Sequence, residues 1–124
     1  MINHIYSQRV YFSDTDCQGI VYHAKYLDFA EHARSEMIRE VVDQTKLLDD
    51  HVGFVIKELN IVYNIPAKLD DLLTVNTTIE TSKTFSMVLK HEIKRNDELI
   101  SIVKVKAACI DLQSNKILKV SDYL

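Results

Sequence analysis

The most constraining feature of this chain is a change in the spacing of its apolar residues. Between residues 23 and 42 there is no Gly or Pro, and apolar side chains recur every three or four residues, as on one face of a helix. They are Leu27, Ala30, Ala33, Met37 and Val41. Farther along, apolar and polar residues alternate, as in strands with one buried face. The two patterns together predict an α+β fold in which one long helix packs on an antiparallel sheet.

The alternation divides into four segments, which are residues 59–65, 73–79, 85–93 and 103–109. Their links "PAKLDD", "TSKT" and "RNDE" are short and rich in turn formers, so neighbouring segments are predicted to pair as an antiparallel meander. A further strand is predicted over residues 8–12, a polar connection over residues 43–52, and a last edge segment after "QSNK".

Apolar side chains also occur on the second face of the alternation. They are Val62, Val88, Ile100, Ile102 and Ile110. Apolar groups that a single subunit leaves exposed are typical of surfaces buried by association. We therefore expect sheets of different subunits to pack together.

Composition narrows the class of protein. A length of 124 residues with 47% hydrophobic residues suits a single domain over residues 1–124. A net charge of -3 does not favour nucleic acid as a partner. Cys17 and Cys109 are too few for a disulfide framework, and no long apolar stretch predicts a transmembrane segment. A cytoplasmic protein is expected.

The segment "SDTDCQG" before the predicted helix contains the best catalytic candidates. The first N–H groups of a helix lack internal acceptors and carry partial positive charge, so they suit an oxyanion. Asp16 lies just upstream and could act across a reacting carbonyl as general base or nucleophile, whereas Asp14 is predicted to form a turn or cap. His23 could hydrogen-bond a substrate. Tyr22 and Tyr26 are candidates for packing or substrate contact.

Three weaker constellations are also present. Cys17 could be a thiolate nucleophile near a helix start, although no paired base is evident. His32 and Glu36 lie one helical turn apart, a spacing that can hold a metal, but no further cluster completes a ligand set; we predict no metal site. A basic strip could meet a phosphorylated ligand, and its members are Lys83, Lys90, Lys94 and Arg95.

The stretch "VYFSDTDCQGIVYHAKYLDFAEHARSEMIRE" resembles the signature of the acyl-CoA thioesterase family that includes 4-hydroxybenzoyl-CoA thioesterase and the Tol-Pal-associated thioesterases. "VYNIPAKLDDLLTV" is similar to that family's Y-x-x-P-A-x-L-D-D segment. The resemblance covers essentially the whole chain. It implies a hotdog fold, in which a curved antiparallel sheet wraps a long helix, and a homodimer or homotetramer with the ligand at a subunit interface.

The resemblance also implies roles for particular residues. Asp16 corresponds to the catalytic aspartate, His23 to the histidine of the Y-H pair, and the N–H near His23 would polarise the thioester carbonyl. Ser86 resembles a serine near the pantetheine arm of coenzyme A, and Lys83 a phosphate contact. Coenzyme A belongs to the substrate, so no separate cofactor is expected. Acyl carrier protein is an alternative carrier of the acyl group.

The sequence departs from the family where Cys17 and Gln18 follow Asp16, because relatives usually have small residues there. These larger side chains would change which acyl group fits the site more than they would change the type of reaction. A relative with a different site arrangement uses a glutamate on the helix as the carboxylate, and Glu31 or Glu36 could have that role here, but the intact D-T-D segment makes this alternative unnecessary. Two other functions stay open, a hydratase acting on enoyl-thioesters and a non-catalytic module that binds acyl-CoA or protein.

Overall fold

The computed structural model describes residues 3–124; Met1 and Ile2, which belong to the predicted 1–124 domain, lie outside the described residues. The elements in chain order are β1 (Asn3–Arg9), α1 (Lys25–Arg39), α2 (Gln44–Asp49), β2 (Val52–Tyr63), β3 (Leu72–Ser82), β4 (Ser86–Arg95), β5 (Glu98–Asp111) and β6 (Ile117–Leu118), with short 3₁₀ helices at Phe12–Asp14 and Val120–Asp122. No helix within residues 3–124 has the length and apolar character needed to cross a membrane.

The strands form one antiparallel sheet in the order β1-β3-β4-β5-β2, and β6 also pairs with β5. The predicted meander is correct for β3, β4 and β5 but wrong for β2, which pairs with β5 rather than β3. The reason lies in the link at residues 64–71, which does not form a tight turn. It crosses the end of the sheet and bonds to the loop before α1, where the N–H of Val21 donates to Ala67 O.

Helix α1 packs on the concave face of the sheet. Ala30 and Ala33 are buried against it, and their small side chains allow the close approach that the sequence predicted. The core under the helix also contains Phe29, Leu73 and Val105. The helix is shorter than predicted at both ends, because residues 22–24 form a turn and Val41 lies beyond the last helical residue.

Other boundaries also differ from the sequence prediction, and β2 begins at Val52, seven residues before the predicted segment. β1 covers Asn3–Arg9 rather than residues 8–12, and Phe12 belongs to a short 3₁₀ helix. The predicted polar connection contains α2, which begins where the carboxylate of Asp43 accepts the backbone N–H groups of Thr45 and Lys46. Such an N-cap supplies acceptors that the first helical turn lacks.

The predicted second apolar face is correct except for one residue. Ile100 is fully buried in the core, because a β-bulge shifts the register between β4 and β5 next to Ile93 and Lys94. A bulge adds one residue to a strand and so reverses the face on which the following side chains lie. Val62 is 49% exposed, and the remaining predicted members of this face are half-buried, namely Val88, Ile102 and Ile110.

Candidate active site

The loop that leads into α1 holds Asp16 in a compact, hydrogen-bonded turn. Asp16 N donates to Ile20 O at 2.9 Å, and Gly19 N donates to Asp16 O at 3.0 Å. Gly19 has a φ of 80°. This backbone conformation is unfavourable for any residue that has a side chain. The Oδ1 atom of Asp16 accepts the backbone N–H of Gln18 at 2.9 Å, whereas Oδ2 has no donor among residues 3–124. One carboxylate oxygen therefore stays available for a proton or a reacting carbon.

Asp14 stabilises this loop through its side chain and its backbone, as the sequence predicted for a turn-forming residue. Its side chain is buried, and Oδ2 accepts the N–H of Tyr11 at 2.9 Å. Its backbone O accepts the N–H of Tyr22, also at 2.9 Å. Oδ1 lies 3.6 Å from Lys25 Nζ, which joins the loop to the first residue of α1. Asp14 thus fixes the path of the chain on both sides of Asp16.

The turn before α1 presents backbone donors. Lys25 N donates to Tyr22 O at 2.8 Å, and Leu27 N donates to Ala24 O at 3.1 Å. The N–H groups of His23 and Ala24 have no acceptor within the described part of the chain. Such groups at a helix start carry partial positive charge and suit a developing oxyanion.

The link at residues 64–71, between β2 and β3, contacts the start of α1 next to this turn. Ala67 N donates to the hydroxyl of Tyr26 at 3.1 Å. Arg95 fixes the far end of the segment, because its guanidinium lies 2.7 Å from Asp71 Oδ2. Burial raises the pKa of Asp71, but hydrogen bonds from Arg95 and from Lys68 N outweigh that effect and hold the pKa below its ordinary value.

A cavity of about 230 Å³ opens beside the helix start. Its lining is mostly apolar and consists of Ile20, Val21, His23, Tyr26, Tyr63, Asn64, Ile65 and Pro66. Of the two residues with free N–H groups, His23 lines this cavity and Ala24 does not. Asp16 does not line this cavity within one chain.

The structure brings Tyr22 and His23 into contact and places Asp16 on the same loop. Asp16, Tyr22 and His23 lie on the same short loop, and the rings of Tyr22 and His23 are 4.4 Å apart. Tyr26 lies beneath them and is buried, with 3% of its surface exposed. Burial is the largest cause that raises the pKa of Tyr26, so its hydroxyl stays protonated near neutral pH.

The other two predicted contacts lie elsewhere. Lys83 N donates to Ser86 O in the turn between β3 and β4, whereas the Asp16 loop lies near the start of β3. The 11 residues of β3 separate these two ends by roughly 30 Å, at about 3.3 Å per residue. Within one chain, therefore, Lys83 and Ser86 are not brought to Asp16.

Most of the weaker candidates have local partners, and Cys17 is exposed. His32 Nδ1 lies 2.9 Å from Gln8 Oε1, and Glu36 pairs with Arg39. No group of three or more His, Cys, Asp and Glu side chains in residues 3–124 is placed to hold a metal ion. In the predicted basic strip, Lys90 pairs with Glu92, and Arg95 pairs with Asp71 and Glu98.

One residue at the site was missed by the sequence analysis. The hydroxyl of Tyr63 donates to the backbone O of His23 at 2.8 Å, although Tyr63 is the last residue of β2. The sequence feature that could have drawn attention to Tyr63 is its position as the first residue of the Y-x-x-P-A-x-L-D-D segment. Nothing in that spacing indicates a partner 40 residues away.

The fold and the loop define a class of protein. A curved antiparallel sheet around one main helix is the architecture of the hotdog thioesterases, which confirms the predicted fold class. The profile described as the thioesterase-like superfamily matches residues 10–124. The chain belongs to this superfamily, and the predicted kinship to acyl-CoA thioesterases is confirmed.

Individual relatives agree with this assignment. The chain is 44% identical over 110 residues to the acyl-CoA thioesterase YbgC of Haemophilus influenzae, covering 87% of this chain and 81% of the relative. It is 38% identical over 105 residues to the acyl-CoA thioester hydrolase YbgC of Escherichia coli strain CFT073, covering 83% and 78%. A solved structure of a probable thioesterase from Bartonella henselae has a TM-score of 0.89 at 31% identity, covering 96% and 99%. The prediction of a thioesterase-type enzyme is confirmed.

Proposed function

We propose that this protein hydrolyses acyl-CoA thioesters to a free acid and coenzyme A. The observation that carries the proposal is that one loop holds both the half-buried carboxylate of Asp16 and, at His23, a backbone N–H without an acceptor in residues 3–124, and that His23 lines an open cavity. The relatives named acyl-CoA thioesterases support it.

The mechanism uses these groups in separate roles. The carboxylate of Asp16 either removes a proton from the water that attacks the thioester carbon, or attacks that carbon itself and forms an acyl anhydride, which water then hydrolyses to the free acid and the regenerated carboxylate. The N–H of His23 or Ala24 stabilises the negative charge that develops on the carbonyl oxygen, and the His23 side chain helps to place the substrate. The coenzyme A thiolate then leaves. The chemistry requires no metal and no redox cofactor.

Replacing Asp16 with Asn tests this assignment. The change keeps the shape of the side chain and removes the basic oxygen, so turnover of acyl-CoA is expected to fall by ~10² or more. Thiol release from a panel of acyl-CoA substrates measures it. The matched control is Asp49→Asn, which alters an exposed carboxylate at the end of α2 and should leave turnover unchanged. Equal rates for wild type and Asp16→Asn would exclude Asp16 as the catalytic carboxylate.

The same thiol-release assay distinguishes hydrolysis from the two other possible functions. Hydration of an enoyl-thioester would leave the thioester bond intact and release no thiol. A binding module would retain acyl-CoA without turnover of any kind. Acyl carrier protein substrates, tested beside matching acyl-CoA substrates, show which carrier the protein prefers.

We also propose that the functional unit is a homodimer or a pair of such dimers. Within residues 3–124, β2 pairs only with β5, and its free edge bears exposed apolar side chains. They are Ile56, Leu59, Val62 and Tyr63. If two copies paired these edges antiparallel, the sheet end that carries Lys83 and Ser86 in one copy would adjoin the Asp16 loop of the other. That arrangement would give both residues access to the substrate.

A further inference from the structure

The hydrogen bond between Tyr63 and His23 satisfies a carbonyl that lies just outside α1. The helix begins at Lys25 with Ala24 as its N-cap, and Leu27 N donates to Ala24 O at 3.1 Å. His23, one residue before the cap, therefore has no helical N–H as a donor to its carbonyl. The free carbonyl of His23 accepts the hydroxyl of Tyr63 at 2.8 Å, which connects the end of β2 to the start of α1.

This bond controls the direction of the free donors. A peptide unit is planar and trans, so its C=O and N–H point in opposite directions. A hydroxyl that holds His23 O therefore fixes the orientation of the Ala24 N–H in the same peptide. It also restricts the rotation of His23 about its own backbone, and with it the N–H of His23. A donor bond to a peptide carbonyl further polarises the peptide and strengthens its N–H as a donor.

Neighbouring aromatic rings hold the Tyr63 side chain in position for this hydrogen bond. Its ring lies edge-on to the rings of Tyr26 at 5.6 Å and His23 at 6.5 Å, an arrangement that aromatic rings favour. The side chain lines the cavity beside the helix start. Burial raises the pKa of Tyr63, so its hydroxyl carries the proton that the bond requires across the neutral range.

We propose that Tyr63 is a positioning residue for thioester hydrolysis, whose hydroxyl holds the His23 carbonyl so that the backbone N–H groups at the helix start face the substrate carbonyl. The inference rests on the proposed function and deepens it. Tyr63 acts through the backbone and exchanges no proton with the substrate.

The variant Tyr63→Phe tests the role, because it removes the hydroxyl and keeps the ring and its aromatic contacts. We expect kcat for acyl-CoA hydrolysis to fall about tenfold, less than the 10²–10³ typical when an oxyanion donor itself is lost. KM should stay within about twofold, because an interaction made mainly in the transition state affects kcat. An S-alkyl-CoA thioether, which has no carbonyl, should bind wild type and variant equally.

The matched control is Tyr6→Phe, which removes a tyrosine hydroxyl from β1, outside the cavity. It should retain the kcat and KM of the wild type. Titration with the thioether gives the concentration of folded sites, so kcat refers to folded protein even if Tyr63→Phe is less stable.

Two outcomes would overturn the inference: an unchanged kcat in Tyr63→Phe, or a raised KM with unchanged kcat, which would indicate direct substrate contact. Either result, together with an inactive Asp16→Asn, would leave the proposed function standing. If the wild type released no thiol from any acyl-CoA, the proposed function itself would fail.

Discussion

His91 is a titratable residue that the protein buries completely. Its Nδ1 lies 2.8 Å from Thr77 Oγ1, and its Nε2 lies 3.3 Å from a guanidinium nitrogen of Arg34. Arg34 can only donate, so Nε2 accepts and the ring proton is on Nδ1. Burial, and then the charge of Arg34, lower the pKa of His91 from 6.5 to about 3. The imidazole is therefore neutral in the folded protein at neutral pH.

A neutral buried histidine makes stability depend on pH. Below pH 6.5 the unfolded chain binds a proton at His91 that the folded chain does not, so the free energy of unfolding decreases as pH falls toward about 3. Between pH 7 and pH 5 the loss from this group is about 2 kcal/mol. Urea unfolding of wild type and His91→Gln at both pH values measures it. The variant should lose correspondingly less stability, and equal losses in the two proteins would contradict the assignment.

The two cysteines differ in environment. Cys17 is exposed on the Asp16 loop, whereas Cys109 is buried, and burial followed by the charge of Asp122 raises the pKa of its thiol. Because the thiolate is the reactive form, iodoacetamide should modify Cys17 in the native protein and both cysteines in denaturant. Mass spectrometry of the intact chain counts the adducts. Two adducts on the native protein would contradict the burial of Cys109.

At the scale of elements, the loop before α1 depends on Asp14. Replacing Asp14 with Ala leaves the N–H of Tyr11 without its acceptor, and a lost hydrogen bond of this kind costs roughly 1–3 kcal/mol. Asp14→Asn keeps an acceptor oxygen and should cost less. Urea unfolding of the two variants provides the comparison, and thiol release reports whether Asp16 is still held correctly. An Asp14→Ala protein as stable as Asp14→Asn would show that this hydrogen bond is unimportant.

At the scale of the whole molecule, the two edges of the sheet differ in their proposed roles. Val62→Lys places a charge on the β2 edge, where it would oppose pairing with a second copy. We expect light scattering to detect a smaller assembly and thiol release to decrease. Ile5→Lys is the matched control, since Ile5 is 65% exposed on β1 at the opposite edge. An unchanged assembly in Val62→Lys would contradict the proposed dimer edge.

The sequence by itself determined the local structure of this protein. Helical spacing identified α1 and its small buried residues Ala30 and Ala33, and alternation identified β3, β4, β5 and the second half of β2. The polar segment around Gly19 identified the loop that holds Asp16. These features follow from periodicity and backbone preferences, which act between residues close in the chain.

Only the tertiary structure decided which distant groups meet. It paired β2 with β5, buried Ile100 through a bulge, joined Tyr63 to His23, and separated Lys83 from Asp16 along β3. The physical reason is that strand order and register minimise the exposed apolar surface of the whole sheet, and an alternating pattern is equally compatible with several neighbours.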